Sequence, residues 1–232
     1  MNKQQTSSKV ILNKKKYLIK SKKEDYFNST RWDLIRLIRN DNNKVLEIGC
    51  GTGNTAKALK EKNKAVEVIG VEIVPEIAKI AETKLDKVIC GDIESLDLPY
   101  REYFDYVIAG DVLEHLYNPW AIINKIKIYI KKGGYVIASI PNVRNWRILK
   151  DLILKGEWKY VSAGILDNTH LRFFTKKSII ELFKNNGFSE IRIIPRFKVK
   201  SKKNKSNLIN TLTFGLFEEF FAIQYIVKAR KI

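Results

Sequence analysis

The sequence is poor in the residues that cross-link a chain or do acid–base chemistry near neutrality. Among 232 residues there are two cysteines and two histidines. Cys50 and Cys90 cannot build a disulfide framework. Both fall in runs that read as buried, so a reducing cytoplasm is the expected compartment. No apolar run is long enough to cross a bilayer. The opening "MNKQQTSSKV" lacks the apolar core of a signal peptide. Acids are also scarce, 25 against 43 Lys and Arg, for a net charge of +18. That excess is local. Residues 1–23 carry eight Lys and no acid, and "RFKVKSKKNK" at 196–205 carries six Lys or Arg and no acid, which together supply 14 of the +18. So concentrated a charge reads first as a basic N-terminal segment and a basic loop on a Lys-rich chain, with RNA contact through that basic tail as the alternative. Peripheral contact with an anionic membrane stays compatible with it. Oligomeric state is not readable.

What is present is alternation. "EDYFNSTRWDLIRLIR" spaces Phe27, Trp32, Ile35 and Ile38 as an amphipathic helix would. From residue 44, "KVLEIG", "AVEVIGVEI", "KVIC", "FDYVIAG" and "YVIASIP" read as strands separated by helical patterns, with Pro75 and Asn118-Pro119 placed to start helices. Such β–α alternation predicts an α/β fold, a parallel sheet covered by helices on both faces. The rhythm lapses at 142–174, an insert rich in Trp, Arg and Asn. It resumes with a helix at about 176–186, a strand "SEIRIIPRF", a helix at 208–221 and a last strand at about 222–230. The expectation is a single domain over 24–232.

The strongest motif is "VLEIGCGTGN", a buried strand running into Gly49, Gly51 and Gly53. Glycines there let the backbone turn sharply and let a ligand press on main-chain atoms. Asn54 stands where a dinucleotide fingerprint ends, and no Lys-Ser/Thr pair follows, so neither a dinucleotide nor a P-loop site is indicated. Three acids accompany the loop at the ends of successive strands. They are Glu47, Glu72 (which can accept both hydroxyls of a ribose) and Asp92, which can accept from an adenine amino group. Together they describe a nucleoside site.

"LEIGCGTGN", "GVEI", "GDI" and "FDYVIAGDVLEHL" resemble the ordered motifs of class I S-adenosylmethionine-dependent methyltransferases. The resemblance implies a Rossmann-like three-layer sandwich with a seven-stranded, mostly parallel sheet and one antiparallel strand near the C-terminus. It places Gly49, Cys50, Gly51 and Gly53 at the methionine part and Glu47 at its amino end. It puts Glu72 and Ile73 at the ribose, Asp92 and Ile93 at the adenine, and Asp111 on the cofactor side. The implied cofactor is S-adenosyl-L-methionine.

On the acceptor side, Asp111, Glu114 and His115 of "GDVLEHL" are spaced so that a helical turn would present them together, as a general base or a divalent-cation site. The group resembles the Glu-x-x-Glu-His cluster of ubiquinone-pathway O-methyltransferases, where a cation is implied. With Asp111 at the first position, a cation is not expected here. "PNVRNWRIL", "GILDNTHLRFFT" and "FEEFFAIQYIVKARK" resemble bacterial methyltransferases of glycan and cell-surface polysaccharide biosynthesis, which implies a sugar hydroxyl as acceptor. Asn142, Arg144, Trp146, Trp158, Tyr160 and Arg172 are the candidate substrate residues, with His115, Asp111 and His170 as catalytic candidates. Absence of an Asn/Asp-Pro-Pro-aromatic run after the fourth strand argues against amino methylation of a flipped base. The alternative functions are an RNA methyltransferase using the basic tail and a non-catalytic cofactor-binding module.

Overall fold

The computed structural model describes residues 24–197 and 217–232, with the side chains of Glu24 and Asp25 left aside. The basic segment 1–23, most of the basic loop and the first part of the helix expected at 208–221 lie outside the described residues. Seven strands follow the order β3-β2-β1-β4-β5-β7-β6 in a mostly parallel, Rossmann-like sheet. The chain forms two compact units, Met1–Pro99 and Tyr100–Ile232.

In the first unit, β1 (Lys44–Ile48) pairs in parallel with β2 (Glu67–Glu72), and β2 with β3 (Lys87–Cys90). Val45, Leu46, Val68 and Ile69 are buried, the near-continuous apolar run of strands covered on both faces. β3 is the edge strand, so Cys90 is exposed while Cys50 is buried, and only one of the two cysteines behaves as expected. The single helix expected from residue 24 is instead two short turns, α1 (Glu24–Phe27) and α2 (Trp32–Ile35). The break has a visible cause. Phe27 O accepts from Thr52 N at 3.1 Å, and Arg31 N donates to Thr55 Oγ1 at 3.1 Å, so the backbone between the turns is bound to the glycine loop and the helix behind it. Phe27, Ile35 and Ile38 are buried, whereas Trp32 is nearly half exposed. Helices α3 (Asn54–Glu61) and α4 (Pro75–Ala81) follow β1 and β2, the latter with proline in its first turn.

In the second unit, β4 (Phe104–Gly110) pairs in parallel with β5 (Ile130–Pro141). β7 (Ala222–Lys231) runs antiparallel to both β5 and β6 (Phe188–Phe197). Asn118 caps α5 (Pro119–Tyr129) by accepting from Ala121 N at 3.0 Å. "KKGG" does not end that helix in a turn. It opens β5, where Gly133 takes φ 78°. Asn145 caps α6 (Trp146–Lys155), and Thr175 and Ser178 form a reciprocal capping box on α7 (Lys176–Lys184). A one-turn α8 (Glu218–Phe221) leads into β7.

Candidate functional site

The residues with chemistry fall into two groups, one in each unit. In the first unit β1 delivers the chain into the glycine loop. Gly49, Gly51 and Gly53 have φ of 70°, 53° and 80°, the left-handed region that side chains rarely adopt. At Gly51 space is short as well, since a Cβ would lie 2.6 Å from Phe27 O. Lys84, which the sequence did not flag, holds the loop from below. Its Nζ donates to Thr52 O at 2.7 Å and to Asn54 Oδ1 at 2.8 Å.

Glu72 is buried at the end of β2 and reaches back to this loop. One oxygen accepts from Gly51 N and the other from Val74 N, each at 3.0 Å. Burial pushes its carboxyl above the usual carboxylate value, opposed by these backbone donors. A carboxylate offers about four acceptor sites, so capacity remains for ribose hydroxyls. Ile73, half-buried, carries the chain on. Glu47 is buried at the end of β1, and its Oε2 has no hydrogen-bond partner. Burial raises its carboxyl from the ordinary 4.5 to about 8, against a hydrogen bond from Thr55 and the charge of Arg31. An unpartnered acceptor beside a ligand loop is what the ammonium of an amino-acid ligand would satisfy. Asp92, buried after β3, accepts from Glu94 N at 3.0 Å, and Ile93 beside it is buried. Cys50 turns inward. A Cβ on Gly70 would meet its Sγ at 2.6 Å, and burial holds the thiol far above its ordinary value, so this side chain fills space.

In the second unit the expected helical turn from Asp111 to His115 does not form. Asp111 takes φ 56°, and only Leu113–His115 make a 3-10 turn. Ser139 Oγ donates to Asp111 Oδ1 at 3.0 Å, and Gln224 Nε2 donates to the same oxygen, so Asp111 is directed at β5 and β7. The cluster that does assemble is Glu114, His115 and His170, all buried, with one ligand atom of each within 4.8 Å of the others. It arises because the stretch 167–175 folds back on the 3-10 turn. Leu171 N and Arg172 N both donate to Glu114 O, at 2.8 and 3.0 Å. Asp167 stiffens the bend by accepting from Thr169 N at 2.9 Å and Thr169 Oγ1 at 2.6 Å.

The donating nitrogen of each histidine follows from its partner. His115 Nδ1 lies 3.1 Å from Thr169 O, and His170 Nδ1 lies 2.9 Å from Ile165 O. A carbonyl only accepts, so each Nδ1 is the nitrogen that donates. The rings meet edge to face with centroids 4.7 Å apart, and His170 Nε2 lies 4.0 Å from Glu114 Oε1. His170 and Arg172 do not share an exposed face. His170 is buried, while the Arg172 guanidinium is exposed and donates to Tyr117 O. Arg144 is ion-paired with Glu219 and lies over Phe220. Asn142 is a correction. It is fully buried, its amide donates to Ala222 O at 2.9 Å and to Glu219 O at 2.6 Å, and its carbonyl accepts from Arg144 N. That makes it a brace beneath α8 rather than a substrate contact. Trp146, Trp158 and Tyr160 are exposed.

A sheet of this strand order, with a glycine loop after β1 and acids at the ends of β1 and β2 and after β3, is that of a class I S-adenosylmethionine-dependent methyltransferase fold. The chain belongs to the family described as methyltransferase domain, whose family model matches residues 22–192. It is 36% identical over 148 residues to an uncharacterized protein of Methanocaldococcus jannaschii, covering 63% of this chain and 65% of that one. It is 30% identical over 154 residues to the ubiquinone biosynthesis O-methyltransferase of Nitrobacter winogradskyi, covering 62% and 56%. The chain thus spans somewhat under two thirds of the length of these curated relatives. The crystal structure of a SAM-dependent methyltransferase from Archaeoglobus fulgidus superposes with a TM-score of 0.61 at 21% identity, covering 90% of this chain and 97% of that one.

Proposed function

We propose that the protein transfers a methyl group from S-adenosylmethionine to a hydroxyl of a small-molecule acceptor, a sugar by preference, with His115 as the general base. The observation that carries this reading is the 3.1 Å contact of His115 Nδ1 with Thr169 O, which orients the one imidazole in the 3-10 turn after β4. When bound, S-adenosylmethionine supplies a methyl group already activated on a sulfonium. Glu47 receives its ammonium, Glu72 its ribose hydroxyls, and the Asp92–Ile93 turn its adenine. Methylation of a hydroxyl would form a C–O bond as the S–CH3 bond broke and would release the hydroxyl proton, for which His115 is the candidate acceptor. His170 and Glu114 lie beside His115, where Glu114, if ionised, would favour a positive charge on the imidazole.

An oxygen acceptor is supported by the similarity to the Nitrobacter relative, a ubiquinone biosynthesis O-methyltransferase. The sugar rests on the exposed Trp158 and Tyr160 of the insert, flat surfaces on which a sugar ring stacks, and on the resemblance of the chain's later motifs. The test is a methyl-transfer screen over nucleotide-sugars, glycans and quinol-type phenols, with His115→Ala alongside. Full activity in that variant removes His115 from the reaction. A second reading rests on the same three side chains, since Glu114, His115 and His170 lie close enough to hold one divalent cation. Loss of activity on chelation, with recovery on adding back one metal, would favour it over direct proton transfer.

A further inference from the structure

Helix α6 leaves an uncovered apolar surface that the reaction does not use. None of its ten residues is buried, although Asn145 pins its first turn to β7 by donating to Ala222 O at 3.1 Å. Ile153 is 74% and Leu154 73% exposed, and Trp146 is exposed as well. At about 100° per residue, Trp146, Lys150, Ile153 and Leu154 fall within an arc of roughly 100°, with Arg147 at its margin. The one acid of the helix, Asp151, lies outside that arc and is ion-paired with Lys155 at 2.9 Å. The outward surface is therefore an indole and two branched aliphatic side chains set among cations in excess, Arg147 over the Trp146 ring and Lys150 and Lys155 against the single Asp151.

We propose that this face of α6 is a docking surface for the anionic phospholipid headgroups of a membrane, with Trp146, Ile153 and Leu154 entering the acyl boundary. Charge complementarity selects this occupant. Lys150 and Arg147 sit level with the apolar side chains, where they meet lipid phosphates. An indole at one end of such a helix suits the headgroup level, where an apolar ring and a polar N–H are both accommodated. A second copy of the chain fits less well. A ten-residue helix about 15 Å long and about 10 Å across presents a face of about 150 Å², short of the roughly 800 Å² per partner that a stable interface buries. Pairing α6 with itself would also set Lys150 and Arg147 against their own equivalents. No helix among the described residues is long and apolar enough to cross a membrane, so the contact is peripheral.

The test is co-sedimentation of the full chain with vesicles of phosphatidylglycerol and phosphatidylcholine in equal parts, and with phosphatidylcholine alone. The unaltered protein should bind the anionic vesicles and not the neutral ones. The double variant Ile153→Glu/Leu154→Glu should lose about tenfold or more in partitioning, and Arg147→Gln/Lys150→Gln about fivefold per cation. Ile80→Glu, an exposed isoleucine on α4 of the first unit, should leave partitioning unchanged. Circular dichroism and S-adenosylmethionine affinity should stay constant through the series, which separates lost docking from lost folding. Undiminished vesicle binding by Ile153→Glu/Leu154→Glu overturns the proposal, because the lysine-rich segments would then suffice. So does a protein that ignores anionic vesicles, or one that is dimeric until Ile153 and Leu154 are changed.

Discussion

The two compact units of this chain carry their chemistry in different ways. In Met1–Pro99 every candidate side chain lies at the end of a strand or in the turn after it, and serves backbone of its own turn or of the adjacent strand's turn. Glu72 holds Val74 N, two residues on, and reaches the glycine loop through the neighbouring strand. In Tyr100–Ile232 the candidate side chains come from far apart. His115 is oriented by Thr169, 54 residues away, and Asp111 by Gln224, 113 residues away. The first arrangement follows from strand–turn–helix geometry that any parallel sheet repeats. The second depends on how one long insert folds back. Consequently the first unit should tolerate changes in the second without losing its ligand, and the variants below are chosen to break that separation.

The largest effect is expected at His115. His115→Ala should lower kcat by about 10²–10⁴, the usual worth of a positioned general base, while cofactor affinity measured by calorimetry stays within a factor of about two. A parallel loss of cofactor affinity would show that the two groups are not separable. Next comes Glu72→Gln, which keeps the shape but replaces the carboxyl that accepts from two backbone donors and that, in the proposed function, would accept the ribose hydroxyls. Hydrogen bonds to a charged group contribute about 1.5–3 kcal/mol, so the dissociation constant for S-adenosylmethionine should rise by roughly 10- to 150-fold. With cofactor at saturation, kcat should be nearly restored.

These contrasts explain what was legible beforehand. The strands of the parallel sheet and the glycine turn after β1 could be read directly, because apolar runs, turn residues and glycine spacing are local signals, whereas the antiparallel strand near the end came only from the family resemblance. The capped starts of α5 and α7 were legible for the same reason. The single helix from residue 24 was misread because Phe27 O and Arg31 N are engaged by residues 52–55, a tertiary demand that overrides a favourable spacing. The turn from Asp111 to His115 was misread because helical spacing assumes helical φ, and Asp111 is held at φ 56°. His170 stood out only as a rare residue. Its meeting with His115 and Glu114 rests on backbone bonds from Leu171 and Arg172 that no periodicity announces. Asn142 showed the reverse error, a polar residue in a substrate-like context that is consumed by two backbone carbonyls.

A pH experiment sharpens the first unit alone. Burial holds the Glu47 carboxyl at about 8 in the ligand-free protein, so near neutrality it is mostly protonated. Receiving an ammonium requires the carboxylate. Cofactor binding should therefore release protons below pH 8, and affinity should rise with pH until about 8 and then level off. Calorimetry in two buffers of different ionisation enthalpy measures this directly. The stability of the empty protein has the opposite sign. A carboxyl raised on folding contributes its full stability below its ordinary value of 4.5 and loses it as pH rises through about 8. Glu47→Gln should flatten both dependences. A wild-type proton release that persists in Glu47→Gln would assign the effect to another group.

The smallest effect tests whether a locally legible feature of the second unit is also energetically local. Thr175 accepts from Ser178 N at 3.3 Å, and Ser178 Oγ accepts from Thr175 N at 2.9 Å, closing the capping box on α7. Phe174 and Ile179 flank it as a buried apolar pair. Thr175→Ala removes one arm of the box and leaves the apolar pair in place, so the loss should be about 0.5–1 kcal/mol, the lower part of the range for such caps. Yet Thr175 directly follows the stretch that delivers His170, and Val143 N donates to Phe174 O at 2.9 Å just before it. If the cap only starts a helix, thermal unfolding shifts by a few degrees and kcat is unchanged. If the cap also sets the path of residues 167–174, kcat falls with the melting temperature. The cap would then be readable in the sequence yet act over the same long range as the histidines it follows.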